Sequence, residues 1–303
     1  MSASAQEREW PSRQVTIVNL FGAGGNGDIA SRAVAQALGD KFGQSFVVEN
    51  RPGGGGVVGS VFVAKAQPDG YTLVTTAIGP AALNQLLFKS VPYDTDRDFT
   101  PVIMLGEVPN VIVSSPQLGF KTLQDLATYG KNNPGGLNIG HSGLGSMGHL
   151  GAALFAAKAG VKATYVAYRS PGAVVADVLG GQIQAGVPTF IPAVQSVTAL
   201  AVTGNQRLEF QPNIPTARES GFDVLAITWI AILAPAGLPD KIRDQLNAAI
   251  NDYLKSSEGR QTFAKMNVRA IGGTPEQLAQ TIKKDRETWA PIIAKENIQL
   301  EAN

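Results

Sequence analysis

Residues 15–38 read VTIVNLFGAGGNGDIASRAVAQAL. The run VTIVNL (15–20) is β-branched and apolar and predicts a strand. Gly22, Gly24 and Gly27 follow at the spacing G-x-G-x-x-G. Asp28 is placed to cap a helix, and IASRAVAQALGDKF carries apolar residues at helical spacing up to Gly43. SFVVEN (45–50) predicts a second strand, RPGGGG (51–56) a turn of great backbone freedom, residues 57–66 a helix and YTLVTTA (71–77) a third strand. That alternation is a β-α-β-α-β unit with parallel strands, which makes the chain an α/β protein.

The same plan returns in residues 137–160, LNIGHSGLGSMGHLGAALFAAKAG. Gly143, Gly145 and Gly148 repeat the glycine spacing between a strand and a helix, and the strand ATYVAY and the turn Arg169-Ser170-Pro171-Gly172 follow. Between the copies, VPYDTDRDFTPV (91–102) breaks the pattern, residues 102–115 are strand-like, and TLQDLATYGKNN predicts a helix. Beyond them, VVADVLGGQ predicts a short helix, SVTALAVTG a strand, and residues 223–235 a long strand able to cross between lobes. Residues 239–257 and 275–296 predict amphipathic helices starting at Pro239-Asp240 and Thr274-Pro275-Glu276.

Composition excludes several classes of function. A length of 303 residues suggests two domains, with 44% hydrophobic residues to fill their cores. Lys+Arg is 25 against Asp+Glu 24, so no global field draws nucleic acid or anionic lipid, and no basic helix-turn-helix stretch appears. The absence of cysteine removes disulfides, thiolate ligands and cysteine nucleophiles, and two histidines, His141 and His149, are too few for a multi-histidine metal site. No run is long enough to span a membrane. The start MSASAQEREW lacks an apolar signal core, but Ser-Ala-Ser-Ala resembles the small-residue end of a cleaved export signal. The expectation is a mature exported chain; the alternative is an ordinary unstructured start.

Two ligands suit the first glycine loop. Glu49, 22 residues after Gly27 at the end of the second strand, is placed as the ribose-binding acid of a dinucleotide site. Against that, the second copy ends its strand in Tyr168-Arg169 with no acid, and neither histidine forms an evident hydride-transfer centre. The simpler reading needs only the shared physics. A glycine loop at a helix N-terminus presents free N–H groups, and the helix dipole favours an anion there, phosphate or carboxylate. Gly140-His141-Ser142-Gly143-Leu144 misses the nucleophile elbow G-x-S-x-G at Leu144, and no triad accompanies it.

The ordered series Phe21 to Asp28, VVENRPGGGG, KAQPDGYTL, the Gly140–Leu150 loop, LGGQI, IPTARESGF and TWIAILAPAGLP resembles the Bug (Bordetella uptake gene) family of periplasmic solute-binding proteins of tripartite tricarboxylate transporters, from about Trp10 to Leu300. The resemblance implies a two-lobed Venus flytrap fold, each lobe a β-sheet flanked by helices. Lobe 1 is expected over 10–104 plus 234–303 and lobe 2 over 105–233, with hinge crossings near 102–108 and 228–235. It implies a non-enzymatic, monomeric, periplasmic receptor without cofactor or metal. Its partners would be a small carboxylate in the inter-lobe cleft and the membrane subunits of the transporter, with neither nucleic acid nor membrane insertion involved.

Carried onto this chain, the contacts implied are Phe21, Gly22, Ala23, Gly24, Gly25, Asn26 and Gly27 in the first loop, and Ser142, Gly143, Leu144, Gly145 and Ser146 in the second. Thr76, Ala77 and Ile78 at the third strand's end, with His141, Arg169 and Thr189, complete the set. The chain departs from the family pattern at Leu20, at Asn26-Gly27, and at His141, Leu144, Arg169 and Ser170. Arg169 suits bidentate pairing with a carboxylate, and His141 suits donation to a ligand oxygen or stacking on a ring. The ligand expected is a dicarboxylate or an aromatic carboxylate, and Leu20, Phe21, Leu144 and Met147 favour an aromatic or aliphatic acid, such as terephthalate, another benzene carboxylate or adipate, over citrate. A dinucleotide oxidoreductase and a ligand-sensing partner of a membrane sensor remain as alternatives.

Overall fold

The computed structural model describes residues 9–295 and 298–299, so the Ser-Ala-Ser-Ala start lies outside the described residues. The elements in chain order are β1 (Val15–Asn19), α1 (Asn26–Phe42), β2 (Phe46–Asn50), α2 (Val57–Ala64), β3 (Thr72–Ala77), α3 (Asn84–Leu87), α4 (Thr95–Asp98), β4 (Phe99–Pro109), β5 (Val111–Ser114), α5 (Leu123–Asn132), β6 (Asn138–His141), α6 (Met147–Ala159), β7 (Thr164–Ala167), α7 (Pro171–Leu179), β8 (Ala185–Val187), β9 (Thr198–Val202), β10 (Ile227–Pro235), α8 (Asp240–Lys255), α9 (Ser257–Lys265), β11 (Arg269–Ala270) and α10 (Pro275–Lys295).

The chain forms two compact units. The first holds the described residues up to Glu107 together with Trp229–Glu287; the second holds Val108–Thr228 and the described residues from Thr288 on. The chain passes from one unit to the other within β4, again within β10 and a third time within α10.

Unit 1 is built on a six-stranded sheet of order β11-β4-β10-β3-β1-β2. β1 pairs parallel with β2 (Val15 opposite Phe46) and with β3 (Thr16 opposite Thr72), and β10 returns antiparallel to β3. β1 is apolar on both faces because both are covered, and Val15, Ile17 and Val18 are wholly buried. Each such side chain contributes about 1.5–3 kcal/mol by leaving water. Trp10 packs edge-on against Phe42 and Phe46, fastening the chain's entry to the end of α1.

Unit 2 is built on a five-stranded sheet of order β7-β6-β8-β5-β9. β6 pairs parallel with β7 and β8, and β5 runs antiparallel to β8 and β9. Val111, Val113, Val174, Val178 and Val202 form part of one core between this sheet and α7. α6 is buried on nearly every side, which its alanine- and glycine-rich sequence permits.

The two units therefore carry the same β-α-β-α-β plan. In each, the first strand lies between the second and the third, in the orders β2-β1-β3 and β7-β6-β8.

Three sequence expectations need correction. The strand expected over 223–235 begins only at Ile227. Ahead of it Ala226 N–H donates to Thr203 O and Ala226 O accepts from Asn110 Nδ2, which holds that backbone out of the ladder. The helix expected over 239–257 ends at Lys255, because Ser256 is extended and its Oγ accepts from Gly259 N–H to start α9. Asp28 does not cap α1, because its carboxylate is taken by Gly24 N–H and Arg32.

Candidate functional site

A strand order in which the first strand is central makes the chain leave it toward opposite sides, and ligands of open α/β sheets bind at the carboxyl ends of the strands flanking that point. In unit 1 those ends are the β1–α1 loop and the end of β3; in unit 2 they are the β6–α6 loop and the end of β8.

In unit 1, Asn19 Nδ2 donates to Phe21 O (2.9 Å) and fixes the loop's entry. Gly22, Ala23, Gly24 and Gly25 are exposed, Phe21 and Asn26 half-buried and Gly27 buried. Gly24 turns the chain at φ +80, a conformation that glycine adopts without strain. Gly25 is the N-cap of α1 and no side chain caps that terminus, so its first-turn N–H groups are left for a ligand or water. Asp28, three residues into the helix, reaches back instead. Its Oδ2 accepts from Gly24 N–H (2.9 Å) and its Oδ1 pairs with Arg32 Nη2 (2.9 Å). Burial works to raise the Asp28 pKa, but the bonds from Gly24 and Arg32 outweigh it and hold the carboxyl below its ordinary value. Thr76, Ala77 and Ile78 are buried at the end of β3 and offer little side-chain surface.

In unit 2 the loop has the same skeleton. Gly143 (φ +112) and Gly145 (φ +72) turn the chain, and Gly145 N–H donates to His149 Nδ1 (3.2 Å), as Gly24 donates to Asp28. Ser146 Oγ caps α6 by accepting from His149 N–H. His141 is wholly buried. Its Nδ1 lies 2.8 Å from Gly143 O, which can only accept, so the His141 proton sits on Nδ1 and Nε2 is left a buried acceptor without a partner. Ser142 Oγ is likewise buried without a partner. The His141 ring stacks on His149 rather than being free for a ligand ring. Burial lowers the pKa of both histidines, that of His149 to about 4 with the charge of His141 adding to the effect. Leu144 is 62% exposed, Arg169 is exposed at the end of β7, and Thr189 is half-buried and bridges to Asn110.

Glu49, the acid that a dinucleotide site needs, is engaged. Its Oε1 pairs with Arg51 Nη2 at 2.7 Å, and the Arg51 guanidinium lies over the Phe62 ring. Sequence reasoning missed the shared acceptor position of Asp28 and His149, although both stand four residues after the middle glycine, and that spacing was the available signal.

A family model described as the tripartite tricarboxylate transporter family receptor matches residues 30–298. Protein BugT of Bordetella pertussis is 33% identical over 307 residues, covering 99% of this chain and 94% of that one. R. palustris Rpa4515, solved with adipate, superposes at TM-score 0.84 with 32% identity, covering 94% of this chain and 98% of that chain. MatC from Rhodopseudomonas palustris, solved with bound malate, superposes at TM-score 0.80 with 29% identity, covering 94% and 100%.

Proposed function

Because the chain belongs to the tripartite tricarboxylate transporter receptor family, we propose that it is a periplasmic, monomeric solute-binding protein that captures a small dicarboxylate and delivers it to the membrane subunits of such a transporter. The observation that carries this reading is the repeated glycine loop, one per unit, each at the carboxyl end of a central parallel strand and at a helix N-terminus. Backbone N–H groups at such a place favour a carboxylate. A ligand with two carboxylates supplies one to each loop. The relatives solved with adipate and malate support a dicarboxylate. Half-buried Phe21 and exposed Leu144 favour an aliphatic or aromatic spacer, as in adipate or terephthalate, over one rich in hydroxyls.

The contacts proposed are the first loop from Phe21 to Gly27, the second from Ser142 to Ser146, and Thr76–Ile78, Arg169 and Thr189; His141, wholly buried and engaged by His149 and Gly143, does not belong to the set. The reading assigns no reaction and no cofactor, and no observation favours the dinucleotide alternative now that Glu49 is paired with Arg51.

The test is a thermal-shift screen with NAD, citrate, malate, adipate, terephthalate and benzoate. A ligand at 100 times its Kd adds about 2.7 kcal/mol of apparent stability. A rise with a dicarboxylate, abolished in Ser142→Phe, supports the reading. A rise with NAD alone overturns it.

A further inference from the structure

The two loops are alike in shape and unlike in charge. Gly24 and Gly145 are equivalent glycines at positive φ, and each donates its N–H to the side chain four residues on. In unit 1 that side chain is the carboxylate of Asp28, and in unit 2 it is the imidazole of His149. The donor and the spacing are the same, and the bond is the shorter and charge-assisted one at Asp28 (2.9 Å against 3.2 Å at His149). Asp28 adds a negative charge.

Arg32 offsets that charge only in part. The Asp28 side chain is 6% exposed while that of Arg32 is 54% exposed. A buried charge acts through a medium of low effective dielectric, and water and salt screen an exposed guanidinium. The unit 1 loop therefore offers its N–H groups next to a fixed, incompletely compensated anion. The unit 2 loop has none, since the shifts of His149 and His141 keep both rings neutral at pH 7.

We propose that Asp28 is a specificity-determining residue: the unit 2 loop holds the carboxylate that every ligand must carry, and the Asp28–Arg32 pair at the unit 1 loop sets how strongly a second carboxylate is preferred over a neutral end. This rests on the carboxylate reading above and refines it by making the two loops unequal. It follows that the preference for dicarboxylates is tunable from one side chain that does not itself touch the ligand.

The experiment is titration calorimetry on the full chain with matched acids differing by one carboxylate: adipate and hexanoate, succinate and butyrate, terephthalate and benzoate. Asp28→Asn keeps an acceptor for Gly24 N–H and removes the charge. The ratio of dicarboxylate to monocarboxylate affinity is expected to rise about three- to tenfold. Arg32→Gln removes the compensating charge at an exposed position, and the ratio is expected to fall.

If Asp28 serves only to hold the loop, Asp28→Asn changes both members of a pair alike and Arg32→Gln leaves the ratio unmoved. Either that result or a shift of opposite sign overturns the inference while the carboxylate reading stands. Should Asp28→Asn not fold, the Arg32→Gln ratio decides alone. If the unsubstituted protein binds no member of any pair, the carboxylate reading fails and the inference with it.

Discussion

The imidazoles of His141 and His149 stack with centroids 4.3 Å apart and planes 13° apart, and each is bonded to the backbone of the same glycine loop, at Gly143 O and Gly145 N–H. Two rings so placed cannot both carry a charge cheaply, and the bond from Gly145 requires His149 Nδ1 to be bare.

Stability should therefore depend on pH through His149. Its folded pKa is depressed to about 4, against about 6.5 when unfolded. Between those values the unfolded chain holds a proton that the folded chain does not. The contribution is present above pH 6.5 and is lost as pH falls through 4, amounting to about 3–4 kcal/mol in full. His149→Gln, which keeps an acceptor for Gly145, should lose less stability than the unsubstituted protein between pH 6.5 and 4.5 in urea unfolding. An unchanged slope would remove His149 as the cause.

Asp285 works in the opposite direction. Its Oδ2 accepts from Trp229 Nε1–H (2.7 Å). Burial raises its pKa to about 6, with the charge of Glu107 adding to the rise and the Trp229 bond and Lys284 working against it. A carboxyl whose folded pKa lies above its unfolded value contributes stability that is present below about pH 4 and lost as pH rises through 6. Asp285→Asn should thus be more stable than the unsubstituted protein at pH 7.5, by about 1–3 kcal/mol, with no gain at pH 4. Tryptophan fluorescence during urea unfolding at the two pH values reads this directly. An equal gain at both would mean that the carboxyl is not the cause. In the window from pH 4 to 6 the two groups oppose each other, so each variant exposes the slope that the other conceals.

The repeated plan was legible because its signals are local. Glycine spacing between a β-branched run and a helical run, read twice, places β1–α1 and β6–α6 and both candidate loops. What was not legible depends on contacts distant in sequence. β8 is three residues, Ala185–Val187, too short for a period, and it is a strand because β5 and β6 flank it. β11 is two residues and exists only through its pairing with Glu107 and Gly106 on β4. Asp28 carried the composition of a helix cap, but its carboxylate accepts from Gly24 N–H and no side chain caps the helix. His141 looked available to a ligand, and only the stacking of His149 and the carbonyl of Gly143 show it engaged.

The glycines of the two motifs serve different ends, which gives a test separating packing from binding. At Gly148 an added Cβ would strike the backbone carbonyl oxygen of Val187 on β8, and a backbone atom in a paired strand cannot turn aside as a side-chain tip can. α6 would have to shift, at a cost of about 2–4 kcal/mol that exceeds the ~1 kcal/mol gained from alanine's helix propensity. Gly148→Ala should lower the melting temperature whether or not ligand is present. Gly22 is the reverse case. Nothing lies within 4 Å of a Cβ built there, its φ is not positive, and the residue is exposed. Gly22→Ala should leave the unliganded protein's stability within about 0.5 kcal/mol of the original. If the first loop grips a carboxylate by close backbone approach, the added methyl stands in the ligand's way and adipate binding weakens. Gly22→Ala binding adipate as tightly as the unsubstituted protein would mean that the first loop makes no close contact there, and the ligand would have to be sought at the second loop alone.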